Sequence, residues 1–231
     1  MAKKKFFIAG TDTDAGKTLV ASGILEKARQ MGLQTVAIKP VASGCEQTPE
    51  GLRNSDALSL IDAMTAELPY EQVNPIAFEP AIAPHIAAMR ANKKLSVDRL
   101  VGYCNGVIMR PSDLVIIEGA GGWRVPLNPR ETLADLVKQL NIPVILVVGV
   151  KLGCINHALL TVEAIERDGL KVAGWVANRI DPAMSCYDEN MMTLRSLIAA
   201  PCLGEIPFLD IADKKNAADH LDLTAALSEP I

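Results

Sequence analysis

GTDTDAGKT, residues 10–18, stands between an apolar run (KFFIAG, 5–10) and a helical pattern that starts at Lys17. Phosphate-binding loops of the usual kind place four residues between the first Gly and the Gly-Lys-Thr; here five, Thr11 to Ala15, separate Gly10 from Gly16. The position between strand and helix gives the near-match a mechanism. A helix start offers unpaired N–H groups and the positive end of a dipole, and glycine lets that backbone wrap closely around a polyphosphate. Lys17 then supplies a point charge at the β- and γ-phosphates, and the Thr18 hydroxyl a ligand for Mg²⁺. The plain alternative is a glycine-containing turn with a capping Asp.

Apolar runs of the same kind recur at 34–40 (QTVAIKP), 113–119 (DLVIIEG), 143–149 (PVILVVG), 170–178 (LKVAGWVAN) and 201–207 (PCLGEIP). Amphipathic stretches lie at 17–31, 56–66, 96–109, 132–140, 154–168 and 187–199. Continuous runs, not alternating ones, fit strands buried on both faces of a parallel sheet. Their alternation with helices predicts an α/β fold: a doubly wound, mostly parallel sheet with helices on both faces, P-loop NTPase-like. The 231 residues suffice for one large domain and are few for two, so a single domain over 1–231 is expected. The stretch 41–55 (VASGCEQTPEGLRNS) is expected to be irregular and, at that length, functional. A weak helical pattern from 213 to 231 is expected to cover a sheet edge.

Hydrophobic residues make up 49% and charged residues 22%, a globular balance, and the net charge of -4 leaves no broad basic surface for nucleic acid. No uncharged apolar segment reaches the roughly 18 residues of a spanning helix, and the apolar part of MAKKKFFIAG is too short for a signal peptide. A soluble cytoplasmic protein without nucleic-acid or membrane partners is expected. The five cysteines (45, 104, 154, 186 and 202) show neither CxxC nor paired spacing, so they are expected to be reduced thiols, several of them packed in the core.

Ligands of open α/β sheets gather at the carboxyl ends of the strands. Glu118 ends the run DLVIIEG there, and Gly119, Gly121 and Gly122 after it permit close backbone approach. Asp56 opens a helical pattern. Each is a candidate Mg²⁺ ligand; each also has a plain reading, a solvated strand end for Glu118 and a helix cap for Asp56. Lys39 ends TVAIKP on the same edge as Lys17, and two lysines with Mg²⁺ would neutralise the anionic transition state of phosphoryl transfer.

Together GTDTDAGKT, IKPVASG, GLRNSDA, NPIAFEPAIAPHIAA, VIIEGAGGW, VILVVGVKLGCINHALLT and GWVANR resemble the dethiobiotin synthetase family over about residues 5–209, and the longer phosphate loop is that family's own variant. The resemblance implies a homodimer of deviant P-loop subunits that uses ATP and Mg²⁺ to join CO₂ to 7,8-diaminopelargonate. An amine captures CO₂ as a carbamate, phosphorylation gives a carbamic-phosphoric anhydride, and the second amine closes the cyclic urea with loss of phosphate. It further implies Lys39 and Lys17 as catalytic residues flanking the carbamate and γ-phosphate. Thr13 and Ser43 fall at contacts to the carbamate or the diamine. Thr18, Asp56 and Glu118 fall at the metal; Asp14, Ala15, Gly16, Lys17, Thr18 and Leu19, with Glu118, Gly119, Ala120 and Gly121, at the phosphates. Asn178 and Arg179 match an adenine-reading segment, and Pro207, Phe208 and Leu209 the stretch lining the base. Gly153, Cys154, Ile155 and Asn156 open a helix whose free N–H groups suit the substrate's distal carboxylate, contributed in the family by the neighbouring subunit.

Two departures stand out: Asp14 where the family often has Glu, and Asn190 where some members carry a Tyr that binds substrate across the dimer. Tyr187 lies one helical turn earlier, so that contact is open between the two residues. His85, His157 and His220 read as structural or surface residues, and Trp123 and Trp175 as packing. The alternative function is a deviant P-loop ATPase acting as a switch, but that group carries an early loop lysine where Asp12 and Thr13 stand here. An amidotransferase-like synthetase needs a glutaminase region that 231 residues do not accommodate, and no GxGxxG follows the first strand to support a dinucleotide oxidoreductase.

Overall fold

The computed structural model describes residues 3–209 and 213–228. In chain order the elements are β1 (Lys4–Gly10), α1 (Lys17–Gln30), β2 (Thr35–Ile38), β3 (Ala42–Ser43), β4 (Glu46–Thr48), β5 (Gly51–Arg53), α2 (Ser55–Ala63), α3 (Tyr70–Val73), β6 (Ala77–Phe78) and α4 (Pro84–Arg90). They continue with α5 (Val97–Ile108), β7 (Leu114–Glu118), α6 (Leu133–Leu140), β8 (Val144–Val150), α7 (Cys154–Arg167), β9 (Val172–Arg179), α8 (Tyr187–Leu197), β10 (Cys202–Ile206), α9 (Lys214–Asp219) and α10 (Thr224–Ser228).

Six strands form the central sheet in the order β10-β9-β8-β1-β7-β2, all parallel. Every residue of β2, β7 and β8 is buried, which is why those runs are continuously apolar. The chain runs from β1 out to β2, returns to β7, then crosses β1 to build β8, β9 and β10. With the right-handed crossovers that parallel strands take, this strand order places α1, which packs against α2 and α9, on one face and the helices α5 to α8 on the other. The direction of winding reverses at β1, so the crevice of a doubly wound sheet opens where β1 ends in the loop 11–16.

The phosphate-loop segment is seated on the sheet by specific contacts. Thr11 N–H donates to the Val147 carbonyl at 2.9 Å, and Gly149 N–H donates to Thr11 Oγ1 at 3.3 Å. A Cβ on Gly149 would lie 3.0 Å from the Ala15 Cα, so glycine there lets the loop rest on β8. Gly16, at φ 88°, caps α1 with no side-chain hydrogen bond, leaving the first N–H groups of the helix without side-chain acceptors. Behind that start, α1 buries Val20, Ala21, Ile24, Leu25 and Ala28 on one stripe, and Lys27 and Arg29 complement the dipole in its last turn.

The sheet and its flanking helices follow the sequence expectation. The segment 41–55 does not: β3 pairs with β6, and β4 with β5 forms a small antiparallel hairpin that turns through Pro49 and Glu50 into Gly51, φ 107°. The tail covers the β10 edge through a Gly204–Leu221 bridge and the Asp222 N–H donating to the Leu203 carbonyl; residues 229–231 lie outside the described residues. Cys45, Cys104 and Cys154 are buried, and all five thiols are free.

Candidate active site

A cleft of about 780 Å³ opens at the carboxyl edge of the sheet. One side consists of Thr13, Asp14, Gly16, Lys17 and Thr18 from the loop and α1, another of Ala120, Gly121, Arg124, Val125 and Pro126 after β7. Lys39, Ala42, Ser43 and Asp56 line it, and Ala81 to Pro84 complete the wall.

Three strand or helix ends converge on one ammonium group. Lys39 Nζ donates to Asp56 Oδ2 at 2.5 Å and to Glu118 Oε1 at 2.6 Å, and Thr18 Oγ1 donates to the same Glu118 oxygen at 2.7 Å. Glu118 is fully buried at the end of β7 and Lys39 nearly so after β2, while Asp56 sits in the first turn of α2 behind an Asn54 cap. Burial alone pulls the Lys39 pKa down, but the Glu118 and Asp56 carboxylates outweigh it and hold the pKa above its ordinary value. Asp56 shows the converse: burial pushes it up, yet Lys39, Thr18 and Lys17 keep it below the usual carboxylate range. Lys17, whose Nζ donates to the Asp12 carbonyl at 3.0 Å, is lowered first by burial and then by the Lys39 charge, with Glu118, Asp56 and Asp14 offsetting only part. Lys39 is therefore the better-held cation of the pair.

The oxygen donors fit Mg²⁺. Among the described residues Glu118 Oε2 is buried without a hydrogen-bond partner, while its Oε1 accepts from the Thr18 hydroxyl and shares the Lys39 ammonium with Asp56. Among the described residues no three His, Cys, Asp or Glu side chains form a metal-binding group. Mg²⁺ needs no such cage, because it is commonly held by one or two carboxylates together with the phosphates it accompanies. A recess of about 370 Å³ adjoins the pair Thr18 and Asp56 and is lined by Leu19, Ser22, Asp213 and Lys214.

Other candidates lie off the cleft lining of the single chain. Asn178 is buried under the loop, its Nδ2 donating to the Ala15 carbonyl at 3.0 Å, and a Cβ on Gly16 would come within 2.0 Å of that nitrogen. Ala15 is buried against the sheet, and a Cβ on Gly119 would meet the Phe7 ring at 2.7 Å. Arg179 stacks its guanidinium 4.4 Å from the Tyr187 ring centroid. Pro207 and Phe208 are exposed and Leu209 is half-buried just after β10. Gly153, Ile155 and Asn156 start α7 at the surface with Cys154 buried behind them. Asn190 Nδ2 donates to the Cys186 carbonyl at 2.7 Å. The sequence reading assigned no role to Ala81, Ile82, Ala83, Pro84, Arg124, Val125 or Pro126; the available signals were the proline-broken segment NPIAFEPAIAPHIAA and a charged residue three positions after Gly121.

A family model described as an AAA domain matches residues 4–216. The fold resembles a MinD septum site-determining protein from Pyrococcus horikoshii, complexed with Mg-ADP (TM-score 0.58, 12% identity, 95% of this chain and 86% of that one). It also resembles a ParA family ATPase from Chlorobium tepidum (TM-score 0.55, 13% identity, 99% and 95%). At such identities these likenesses concern the fold alone. Sequence relatives are much nearer: ATP-dependent dethiobiotin synthetase BioD of Cellvibrio japonicus is 59% identical over 98% of this chain and 99% of its own length. The BioD protein of Pseudomonas aeruginosa strain PAO1 is 57% identical over 94% and 96%. On the phosphate loop with its extra residue, the cleft behind it and these near full-length identities, the chain belongs to the dethiobiotin synthetase family.

Proposed function

We propose that this protein, a single domain acting as a cytoplasmic homodimer, closes the cyclic urea of dethiobiotin from 7,8-diaminopelargonate and CO₂ with consumption of ATP. The observation that carries the reading is the convergence of Lys39, Thr18, Asp56 and Glu118 at the foot of a cleft that begins with Lys17 and continues as an apolar wall.

In this reading the N–H groups from Asp14 to Leu19 and the segment Glu118 to Gly121 hold the phosphates, with Asn178, Arg179 and Pro207 to Leu209 around the base. Thr18, Asp56 and Glu118 would hold Mg²⁺, which would supply positive charge to offset that of the phosphates. Thr13 and Ser43 face the carbamate end; Ser43 Oγ is a buried atom with no hydrogen-bond partner among the described residues, suited to a substrate oxygen or amine. Lys39 and Lys17 flank the oxygen that passes from carbamate to phosphate. The Glu118 and Asp56 carboxylates raise the Lys39 pKa, so Lys39 enters the reaction as a cation that offsets developing negative charge. Phosphorylation converts a poor oxide leaving group into phosphate, and the neighbouring amine then closes the ring. The start of α7, Gly153 to Asn156, lies off this cleft, which is consistent with its serving the carboxylate of substrate held by a second copy. Leu152 and Leu160 on that side, and Met192 on α8, are largely exposed in the single chain.

The test is phosphate release from Mg-ATP and bicarbonate with and without 7,8-diaminopelargonate, with dethiobiotin followed by mass. Release that needs the diamine and matches product one for one supports the proposal; steady hydrolysis indifferent to the diamine refutes it.

A further inference from the structure

Arg124 lines the cleft and takes no part in the roles above. Its Nη1 donates to Asp168 Oδ2 at 2.6 Å and its Nη2 to Asp168 Oδ1 at 3.1 Å. Trp123 Nε1 donates to the same Oδ2 at 2.8 Å. Asp168 caps the end of α7 with a side chain only 11% exposed, and buried Trp123 meets Phe7 of β1 edge-on, ring centroids 6.2 Å apart. Independently of Arg124, the Asp168 carboxylate is held by the indole N–H of buried Trp123, and its backbone is fixed at the end of α7, so it orients the guanidinium.

The bidentate pair uses two of the five N–H donors of the fork, and the Arg124 side chain is 51% exposed. A preoriented cation thus keeps donors in hand at the cleft wall. Val125, Pro126, Ile82 and Pro84 line the same cleft and give it an apolar wall. Lys17 and Lys39 serve the reacting end, so the cleft has a charged head, an apolar stretch and an additional anchored cation. That pattern fits an aliphatic chain with a reactive polar head and an anionic tail.

We infer that Arg124 is a specificity-determining residue that binds the carboxylate at the far end of the aliphatic diamine, and that Asp168 is the positioning residue that orients it. The inference rests on the reading under Proposed function, and it adds a contact from within the subunit to the one that the start of α7 in a second copy would make to the same carboxylate.

Diamine-dependent phosphate release tests it on the full chain, comparing wild type and Arg124→Met with 7,8-diaminopelargonate and with 7,8-diaminononane, which lacks the carboxylate. Arg124→Met is expected to raise KM for diaminopelargonate by about ten- to a hundredfold, the scale of one charge-assisted hydrogen bond. KM for Mg-ATP and kcat should stay within about threefold, and the two proteins should handle diaminononane alike. Asp168→Asn, which keeps the side-chain shape, should shift KM for diaminopelargonate in the same sense by a smaller factor. Unchanged KM in Arg124→Met, or an equal rise for both diamines, overturns the inference while leaving the proposed reaction standing. Wild type that releases no phosphate in response to diaminopelargonate overturns the proposed reaction and this inference with it.

Discussion

Replacing Lys39 by Ala separates the two jobs that its geometry gives it. The ammonium lies 2.5 Å from Asp56 Oδ2 and 2.6 Å from Glu118 Oε1, with the Lys39 side chain 5% exposed and Glu118 wholly buried. Removing one partner of a buried pair strands the other charge, at a cost of about 3–5 kcal/mol. For a chain of this size each kcal/mol moves Tm by about 2–4 °C, so Lys39→Ala should melt about 6–20 °C below wild type. Lys39→Ala/Glu118→Gln, which removes the stranded charge, should recover part of that loss and none of the activity. Mg-ATP should raise Tm more in Lys39→Ala than in wild type, because a bound cation compensates the freed carboxylates. Turnover should fall at least about a hundredfold with nucleotide binding retained, the scale of one lost transition-state charge. Calorimetric melting and phosphate release on the same preparations check both halves. Wild-type stability together with near-normal turnover would refute the reasoning, and so would a double variant no more stable than Lys39→Ala.

Gly16→Ala should weaken Mg-ATP binding by titration calorimetry at least about tenfold, because φ 88° disfavours any side chain and the new Cβ would run into Asn178 Nδ2. Thr18→Val removes a hydroxyl that donates to Glu118 and should raise the Mg²⁺ concentration needed for half-maximal turnover. Asp56 is held below its ordinary pKa, so its contribution to stability is complete above about pH 4 and is lost as pH falls through the lowered native value. Asp56→Asn should therefore flatten the acid limb of a Tm-against-pH curve, and an unchanged acid limb would contradict this assignment.

Much of the fold is legible because parallel strands buried on both faces read as near-continuous apolar runs, as LVII of β7 and VILVVGV of β8 do. Gly-Lys-Thr at the start of α1 marked one end of the cleft for a local reason, the free N–H groups of a helix start. The hairpin of β4 and β5 left no comparable trace: its strands are three residues each, and Glu46 and Gln47 are exposed, so no apolar alternation betrays them. The convergence on Lys39 joins residues 17 and 79 positions apart, which single-chain patterns do not encode. Arg124 carries no local signal of its role, because its partner Asp168 lies 44 positions away.

The measurement that bears most directly on the account is the fate of oxygen from CO₂. If the carbamate oxygen is the atom phosphorylated beside Lys39, turnover with oxygen-18-labelled CO₂ places one labelled oxygen in the released phosphate and one in the urea carbonyl. Unlabelled phosphate, its added oxygen drawn from solvent water and not from CO₂, would contradict it.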